Sequence, residues 1–483
     1  MTTLQQALHI FRKDARHLRL EIGGALLLIL ILIFSGVQTW EQLQERGGPT
    51  FGDDTPLSML LPLVWGLLIA RSIQSEALPG DRHFWLTRPY SRAGLVLGKL
   101  LFIAAFINVP LLIAQAVIIA ADGLPLLPSA SGLLWNQLLV TAVFVLPVTA
   151  IATLTRNLAQ FLPAAAVAVA VLAAILEENS RTRDLVWISV GVGLALAAMT
   201  GCFVIWRQYR LRRSGNTALL ALGACVASLI LSASFPDQAA FAIQSNLIGT
   251  ADKQFGLRLG APEAKAGAKR PMQARNKYRQ TVKFPIRVEG TAARNLMVQG
   301  WDLSFKTLSG VTRRGQTKID VSPAGLVQFA TIDRDFFEAA KNAPVTLRVT
   351  YSLTQFGDGG SSDVPLDGTP VFVPGLGQCG ATVRWDHREF FCRLPFRRPA
   401  MFVSDRVGLG VPDSYGPVPV RLHPVATRGY ELSEAVAKEL APAEIEKPLT
   451  VTVRKRVAYF RYTLEAPNVR LADYAVDTAD VEE

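Results

Sequence analysis

The sequence lacks the common signatures of enzymatic chemistry. Its 483 residues contain no G-x-x-x-x-G-K-[ST] phosphate loop, no H-E-x-x-H metal motif and no G-x-S-x-G nucleophile turn. Gly98 and Lys99 form a Gly-Lys pair, but the spacing and the hydroxyl of a phosphate loop are missing, which excludes ATP binding by that route. The net charge is +11, without a basic and aromatic RNA or DNA motif. We therefore predict a chain that is not an enzyme, holds no cofactor of its own and binds no nucleic acid.

Cysteine is scarce, with four residues. Cys202 and Cys225 lie in apolar runs, where a thiol acts as a small packing group. Cys379 and Cys392 lie in the polar half and lack the C-x2-C spacing of a zinc ribbon. Such a pair is compatible with a disulfide in an oxidising compartment, and its short spacing favours a staple across a hairpin. The charged run at 386–389 is either a ligand cluster or a solvated hairpin tip, and we predict no metal site.

Long apolar runs fill the chain before residue 235, and half of all residues are hydrophobic. Each run is near the ~20 residues that cross ~30 Å of hydrocarbon. We therefore predict a polytopic α-helical membrane domain with six plus one transmembrane helices. The first run follows basic residues and precedes other runs, which indicates an uncleaved anchor. The runs lie at about 22–38, 57–70, 94–120, 132–155, 158–176, 185–206 and 217–234.

Basic residues orient these runs. The segment 1–20 has apolar residues at helical spacing and a basic face, which predicts an amphipathic helix on the cytoplasmic membrane surface; the alternative is a charged cap to the first span. Arginine recurs in alternate connectors, at 71–93, 156–160 and 207–216, which places them in the cytoplasm. Seven crossings then put the residues after 235 outside the cytoplasm, in an environment that permits a disulfide.

The middle of each run lacks Asp, Glu, Lys and Arg. Ion-coupled transporters usually carry such residues inside the membrane, so their absence argues against a self-powered secondary transporter. Any transport would need external energy and an uncharged or lipid-like substrate. The few strongly polar residues either line a path or form hydrogen bonds between helices. They are Asn108, Gln115, Asn136 and Gln137.

From about residue 280 the hydrophobic period changes to two. Segments 281–289, 343–353 and 449–465 alternate between apolar and polar residues, with Gly, Asp and Pro turns between them, which predicts a β-rich, sandwich-like domain. Short helices are predicted at 333–343 and 432–440. Residues 235–279 form a basic stalk, which either lies on anionic lipid headgroups or is solvated. The predicted domains are the cytoplasmic helix 1–20, the membrane domain 21–234 with its cytoplasmic loop 71–93, the stalk 235–279, the extracytoplasmic β-rich domain 280–472 and the acidic tail 473–483.

The connector 71–93 is charged, aromatic and rich in turn formers. Phe84 and Trp85 form an apolar patch flanked by Arg82 and Arg88, the combination of apolar anchor and charged rim that partner grooves recognise. The other interpretation is a membrane-surface turn with its aromatic rings at headgroup level. The sequence alone leaves both interpretations open.

This connector resembles the segment between the second and third spans of type-2 ABC transporter permeases. Those proteins typically show an acidic residue, a Gly-containing turn, Leu-x-x-Pro-x-Ser-Arg and then Gly-Lys-Leu. Here the matching positions are Glu76, Gly80, 86–92 and 98–100. The opening FRKDARHLR is similar to the surface helix of that family. The resemblance covers about the first 210 residues; the seventh run and the C-terminal domain depart from the six-span family pattern.

The resemblance implies the permease subunit of an ATP-driven exporter in the bacterial inner membrane. Its partners would be a second copy or paralogue, the lipid bilayer and a separate ATPase that binds ATP and Mg. The alternative is a polytopic anchor that presents a β-sandwich binding or assembly module without transport. The residues implied in ATPase coupling are Glu76, Arg82, Phe84, Trp85, Arg88, Pro89 and Arg92.

Overall fold

The structure is a computed structural model that forms two compact units. Unit 1 comprises Met1–Ala240, Ser362–Pro399 and Tyr415–Leu449, and unit 2 comprises Phe241–Ser361, Ala400–Ser414 and Thr450–Glu483. The β-rich part of the sequence is therefore shared between the two units. The described residues are 2–36, 56–75, 91–180, 186–211, 223–224, 226–227, 230, 237–248, 256–262, 279–289, 296–322, 325–357, 360–365, 367–374, 377–384, 387–395, 402–403, 411–412, 424–431, 448–453 and 456–476.

The N-terminal part is helical. The helices are α1 (Thr3–His17), α2 (Arg19–Gly36), α3 (Pro56–Gln74), α4 (Arg92–Ala121), α5 (Leu126–Leu154), α6 (Leu158–Ser180), α7 (Val186–Leu211) and α8 (Asp237–Ile248). One π-helical turn interrupts α4 at Ala104–Asn108, and another interrupts α5 at Thr141–Val145.

Within the described residues, three helices are long and apolar enough to cross a membrane. They are α4 with 30 residues, α5 with 29 residues and the 20-residue segment Gly191–Arg210 of α7. A fourth is reached if α1 and α2, which bend by 78° at their junction, count as one span. The expected helical membrane-type region is therefore present, while the count of six plus one stays a prediction. Most of the run 217–234 lies outside the described residues.

Local sequence explains where these helices begin and end. Thr2 and Gln5 form a capping box at the start of α1, and the hydroxyl of Ser91 accepts a hydrogen bond from Gly94 N at 3.0 Å at the start of α4. At the end of α4, Gly123 N donates to Ala120 O at 3.1 Å and Leu124 N donates to Ile119 O at 3.0 Å. This is a Schellman motif, and Gly123 supplies the left-handed residue that it requires, with φ of 71°.

Large side chains fill the core of the helical region. Trp65 of α3 is 1% exposed and packs 6.2 Å from the ring of Phe144, centroid to centroid. Phe106 stacks on Phe11 of α1 at 5.7 Å and contacts Phe102 at 5.0 Å. These rings join α1 to α4 and α3 to α5, and Trp65 shares one apolar cluster with Ile10 of α1 and Leu95 of α4.

A four-stranded antiparallel sheet belongs to unit 1. Its strands are β9 (Val371–Val373), β10 (Gly377–Arg384), β11 (His387–Pro395) and β14 (Val425–Glu431), in the order β14-β11-β10-β9. We call it the 371–431 sheet. Cys379 of β10 lies directly opposite Cys392 of β11, and the two form a disulfide. The disulfide and its predicted role as a hairpin staple are thus confirmed.

Two sheets of unit 2 enclose its apolar core. One has the order β1-β2-β6-β5, with β17 paired to β2, and the other has the order β16-β7-β3-β4. Phe284 of the first sheet and Phe305 of the second lie 6.0 Å apart, and both are buried. The strands are β1 (Gly256–Leu259), β2 (Arg279–Glu289), β3 (Leu296–Thr307), β4 (Thr312–Arg314), β5 (Gln316–Ser322), β6 (Gly325–Asp333), β7 (Val345–Phe356), β16 (Arg456–Val469) and β17 (Ala475–Val476).

Short elements complete the described chain. Helix α9 (Arg334–Ala340) lies where the sequence predicts a helix at 333–343, and a 3₁₀ turn spans Leu471–Tyr474. The predicted strand 449–465 is divided between β15 and β16, and the predicted helix 432–440 lies outside the described residues. The remaining strands are β8 (Gly360–Val364), β12 (Phe402–Val403), β13 (Val411–Pro412) and β15 (Leu449–Val453).

Candidate functional site

The candidate site is the framework that holds the two ends of the loop predicted to couple to an ATPase. The structure describes the chain up to Ser75 and again from Ser91. Arg92 is therefore the one predicted coupling residue that lies within the described part of the chain. The others, Glu76, Arg82, Phe84, Trp85, Arg88 and Pro89, lie outside the described residues.

Helix α1 packs closely against the start of α4. Oε1 of Gln6 accepts hydrogen bonds from Ser91 N at 2.9 Å and from Ser91 Oγ at 2.8 Å. Two turns further into α4, a Cβ on Gly98 would lie 3.0 Å from Ala7 O and 3.1 Å from Ile10 Cβ. Such contacts are tighter than ordinary van der Waals packing, and glycine, which has no Cβ, allows the two helix backbones to approach this closely. The helix predicted on the membrane surface is thus integrated with the chain after the loop.

A buried ion pair locks this contact. Lys99 Nζ lies 2.6 Å from Asp14 Oδ2 and donates a second hydrogen bond of 2.6 Å to Ser72 O at the end of α3. The side chains of Lys99 and Asp14 are 5% and 1% exposed. Removing one charge of such a pair is strongly unfavourable because the other stays buried without compensation. One ammonium group therefore joins α1, α3 and α4.

This ion pair is absent from the predictions made from the sequence, although a signal for it exists. The buried positions of α1 and its end are Ala7, Ile10, Asp14 and Leu18, whereas Leu4, Leu8 and Leu20 are 64%, 40% and 82% exposed. Positions 7, 10, 14 and 18 follow the helical period, so Asp14 falls on the apolar stripe. A lone carboxylate in such a stripe calls for a basic partner, and Lys99 is the one basic residue of the run 94–120.

Further contacts fix both ends of the loop. On the α3 side, Arg71 forms an ion pair with Glu21 of α2, and Gln74 Nε2 donates to Thr155 Oγ1 at 2.9 Å. On the α4 side, Arg92 Nη1 donates to Arg210 O near the end of α7 at 3.2 Å. We call these contacts, together with the Gln6–Ser91 and Lys99–Asp14 contacts, the loop frame. Both ends of the loop are thus attached to helices that are distant in sequence.

The four polar residues singled out inside the spans come together between α4 and α5. Asn108 Nδ2 donates to Thr141 Oγ1 at 2.9 Å and to Gln137 Oε1 at 3.3 Å. Gln115 Oε1 accepts from Gln137 Nε2 at 3.2 Å and from Asn136 Nδ2 at 3.5 Å. These bonds are those that the interhelical interpretation predicts. Lining of a substrate path stays a prediction.

The polar contacts coincide with the two π-helical turns. Asn108 ends the turn in α4, and Thr141, its hydrogen-bond partner, begins the turn in α5. A π turn leaves backbone groups with altered hydrogen bonding and recurs at functional positions in helices. The π-helical turns of α4 and α5 therefore lie at the same level of the hairpin as the polar contacts between the two helices.

A second buried ion pair lies at the other end of α4. Asp122, the residue that caps α4, lies 3.6 Å from Arg393 of the 371–431 sheet, measured from Oδ1 to Nη1, and these side chains are 4% and 6% exposed. Burial lowers the pKa of Arg393, and the charge of Asp122 opposes that shift. Val425 of the same sheet packs with Ile118, Ile119, Leu124 and Leu133. The sheet is thus seated on the turn between α4 and α5.

The described residues contain no group of three or more His, Cys, Asp or Glu side chains placed to hold a metal ion. His387 begins β11, and Asp386 lies outside the described residues. Comparisons of the chain with protein-family models, curated proteins and solved structures give no match.

Proposed function

We propose that the chain is the membrane subunit of an ATP-driven exporter and that a separate ATPase binds its loop 71–93. The proposal rests on one observation, the loop frame. Both ends of the loop are attached through ion pairs and hydrogen bonds to α1, α2, α5 and α7. An ATPase that displaces the loop would move the helices with it, because these ion pairs and hydrogen bonds couple the ends of the loop directly to the helices.

Three features support the finer parts of this proposal. Helices α4, α5 and α7 have the length and hydropathy of spans. The basic connectors favour a cytoplasmic loop, and the Cys379–Cys392 disulfide favours an extracytoplasmic sheet. We accordingly propose six plus one spans in a bacterial inner membrane and an extracytoplasmic β-rich region. Two permease copies would pair, and ATP and Mg would bind the ATPase.

The second candidate function is an anchor that presents a β-rich binding or assembly module. The observation that favours it is the seating of the 371–431 sheet on the α4–α5 turn through Asp122, Arg393 and Val425. A buried contact of this kind would hold a module firmly at the membrane whether or not anything is transported. This function requires no ATPase.

Purification of the tagged full-length chain from its native host in mild detergent separates the two functions. The exporter predicts that a soluble ATPase copurifies in stoichiometric amount. Glu76→Lys in the loop should abolish that association while membrane insertion remains. The matched control is Glu338→Lys, which makes the same charge change at a side chain 48% exposed in unit 2. Equal recovery of the ATPase with both variants would contradict the coupling role of the loop. If no ATPase copurifies with the wild-type protein, the anchor function is favoured.

A further inference from the structure

The tip of the β3–β4 hairpin in unit 2 is an unusual surface. Burial along β3 ends at Phe305, which is 0% exposed, and all but one of the next nine residues are exposed. Within that stretch, Leu308 is 82% exposed and Val311 is 48% exposed. The tip therefore stands clear of the core and presents two apolar side chains to its surroundings.

The tip is held in one conformation by its own hydrogen bonds. Thr307 N donates to Val311 O at 3.0 Å, and Gly310 N donates to Thr307 O at 2.9 Å. The Thr307 hydroxyl also accepts a hydrogen bond from Val311 N at 3.2 Å. Because the turn is already ordered, little conformational entropy remains to be lost when Leu308 is buried by a partner.

Basic side chains surround the apolar tip. Lys306, Arg313 and Arg314 are all exposed, and no acidic residue occurs between 303 and 319. Arg314 lies 3.6 Å from Asp302, and both of these side chains are more than half exposed, at 72% and 63%. Such a surface pair is weak and screened by water. The tip thus combines a rigid apolar wedge with an excess of positive charge.

We propose that the β3–β4 tip docks on an anionic lipid leaflet, with Leu308 and Val311 at the acyl boundary and Lys306, Arg313 and Arg314 among the headgroups. Apolar groups that enter the interface beside cations that face anionic lipid are the recognised pattern of peripheral membrane binding. A bilayer is also the partner that a chain with apolar spans meets in every state. The proposal does not depend on an ATPase and goes beyond the exporter function.

The test uses the full-length protein in nanodiscs, with Cys202 and Cys225 replaced by serine and the Cys379–Cys392 disulfide intact. An environment-sensitive fluorophore is attached after Ser309→Cys, which leaves Leu308 in place. The lipids are phosphatidylcholine alone or mixed with phosphatidylglycerol, each with and without doxyl-labelled lipid. The control site is Val457→Cys in the same unit, where the native side chain is 46% exposed.

We expect blue-shifted emission and doxyl quenching at position 309 in anionic discs, and neither at position 457. Both signals should be lost with Leu308→Asp and with the double variant Arg313→Glu/Arg314→Glu, and both should be kept with Leu308→Met. Added salt should weaken them, because it screens charge beyond about 8 Å at physiological ionic strength. Emission at 309 as polar as that at 457 in anionic discs would overturn the proposal. So would a blue shift without doxyl quenching, because it would place the tip against protein.

Discussion

Lys99 Nζ lies 2.6 Å from Asp14 Oδ2 in an environment that excludes water almost completely. The pair connects the first helix of the chain with the helix that follows the proposed ATPase-binding loop. The second buried pair, Asp122 with Arg393, lies 23 residues along the same helix, or about 35 Å at 1.5 Å per residue. Helix α4 is therefore fixed by buried charge near both of its ends.

The first prediction concerns the Lys99–Asp14 pair. Lys99→Met leaves the Asp14 carboxylate buried without the ammonium group, so we expect a loss of about 3–5 kcal/mol in stability. The double variant Asp14→Leu/Lys99→Met removes both charges and should recover most of that loss. The measurement is the thermal unfolding midpoint of the purified protein in detergent. A double variant that is less stable than either single variant would contradict the buried-pair account.

The sequence predicts the kinds of secondary structure in this protein but not the side-chain contacts between them. The helical membrane-type half, the β-rich half and the Cys379–Cys392 staple follow from period and spacing, which are local signals. Pairing of Asp14 with Lys99, or of Asp122 with Arg393, depends on which helix faces join, and residues 85 and 271 positions apart carry no local record of that. The position of Asp14 on the buried stripe of α1 is a signal that a partner exists, but this stripe became evident only from the fold.

The second prediction concerns the close approach of α1 and α4. A Cβ at position 98 would meet the Ala7 carbonyl oxygen at 3.0 Å, whereas a Cβ at Gly66 in α3 would meet nothing within 4 Å. Alanine in a helix gains up to about 1 kcal/mol over glycine. We therefore expect Gly66→Ala to stabilise the protein and Gly98→Ala to destabilise it. Trypsin should also cleave at Lys13 and Arg16 faster in Gly98→Ala. Equal effects of the two substitutions would contradict a steric cost of a Cβ at the contact between α1 and α4.

The third prediction concerns the seating of the 371–431 sheet on the α4–α5 turn. Arg393→Met should destabilise the protein by about 3–5 kcal/mol because the Asp122 side chain is only 4% exposed and loses its guanidinium partner. The exchanged pair Asp122→Arg/Arg393→Asp should recover part of that loss. Arg348→Met is the matched control, since its partner Glu465 is 58% exposed and an exposed pair contributes at most about 1 kcal/mol. The measurement is the unfolding midpoint under oxidising conditions, which keep the disulfide intact. Similar losses at Arg393 and Arg348 would contradict the buried contact.

The fourth prediction is a pH dependence that arises in the core of unit 2. Burial raises the pKa of Tyr351, and its hydroxyl donates to Gln328 Oε1 at 3.4 Å. A tyrosine in an unfolded chain titrates near pH 10. Below that pH the phenol is neutral in both the folded and the unfolded state, so Tyr351 makes its full contribution to the free energy of unfolding. Above it the unfolded state releases the proton while the folded state retains it, so stability falls as pH rises.

Tyr351→Phe should therefore be about 1 kcal/mol less stable than the wild type at pH 8, because it loses the hydrogen bond. This difference in stability between wild type and variant should narrow as pH increases beyond about 10. The measurement is the difference between the unfolding free energies of wild type and variant at each pH, in which the titration of all other groups cancels. A gap that is constant through the alkaline range would show that Tyr351 ionises equally in both states.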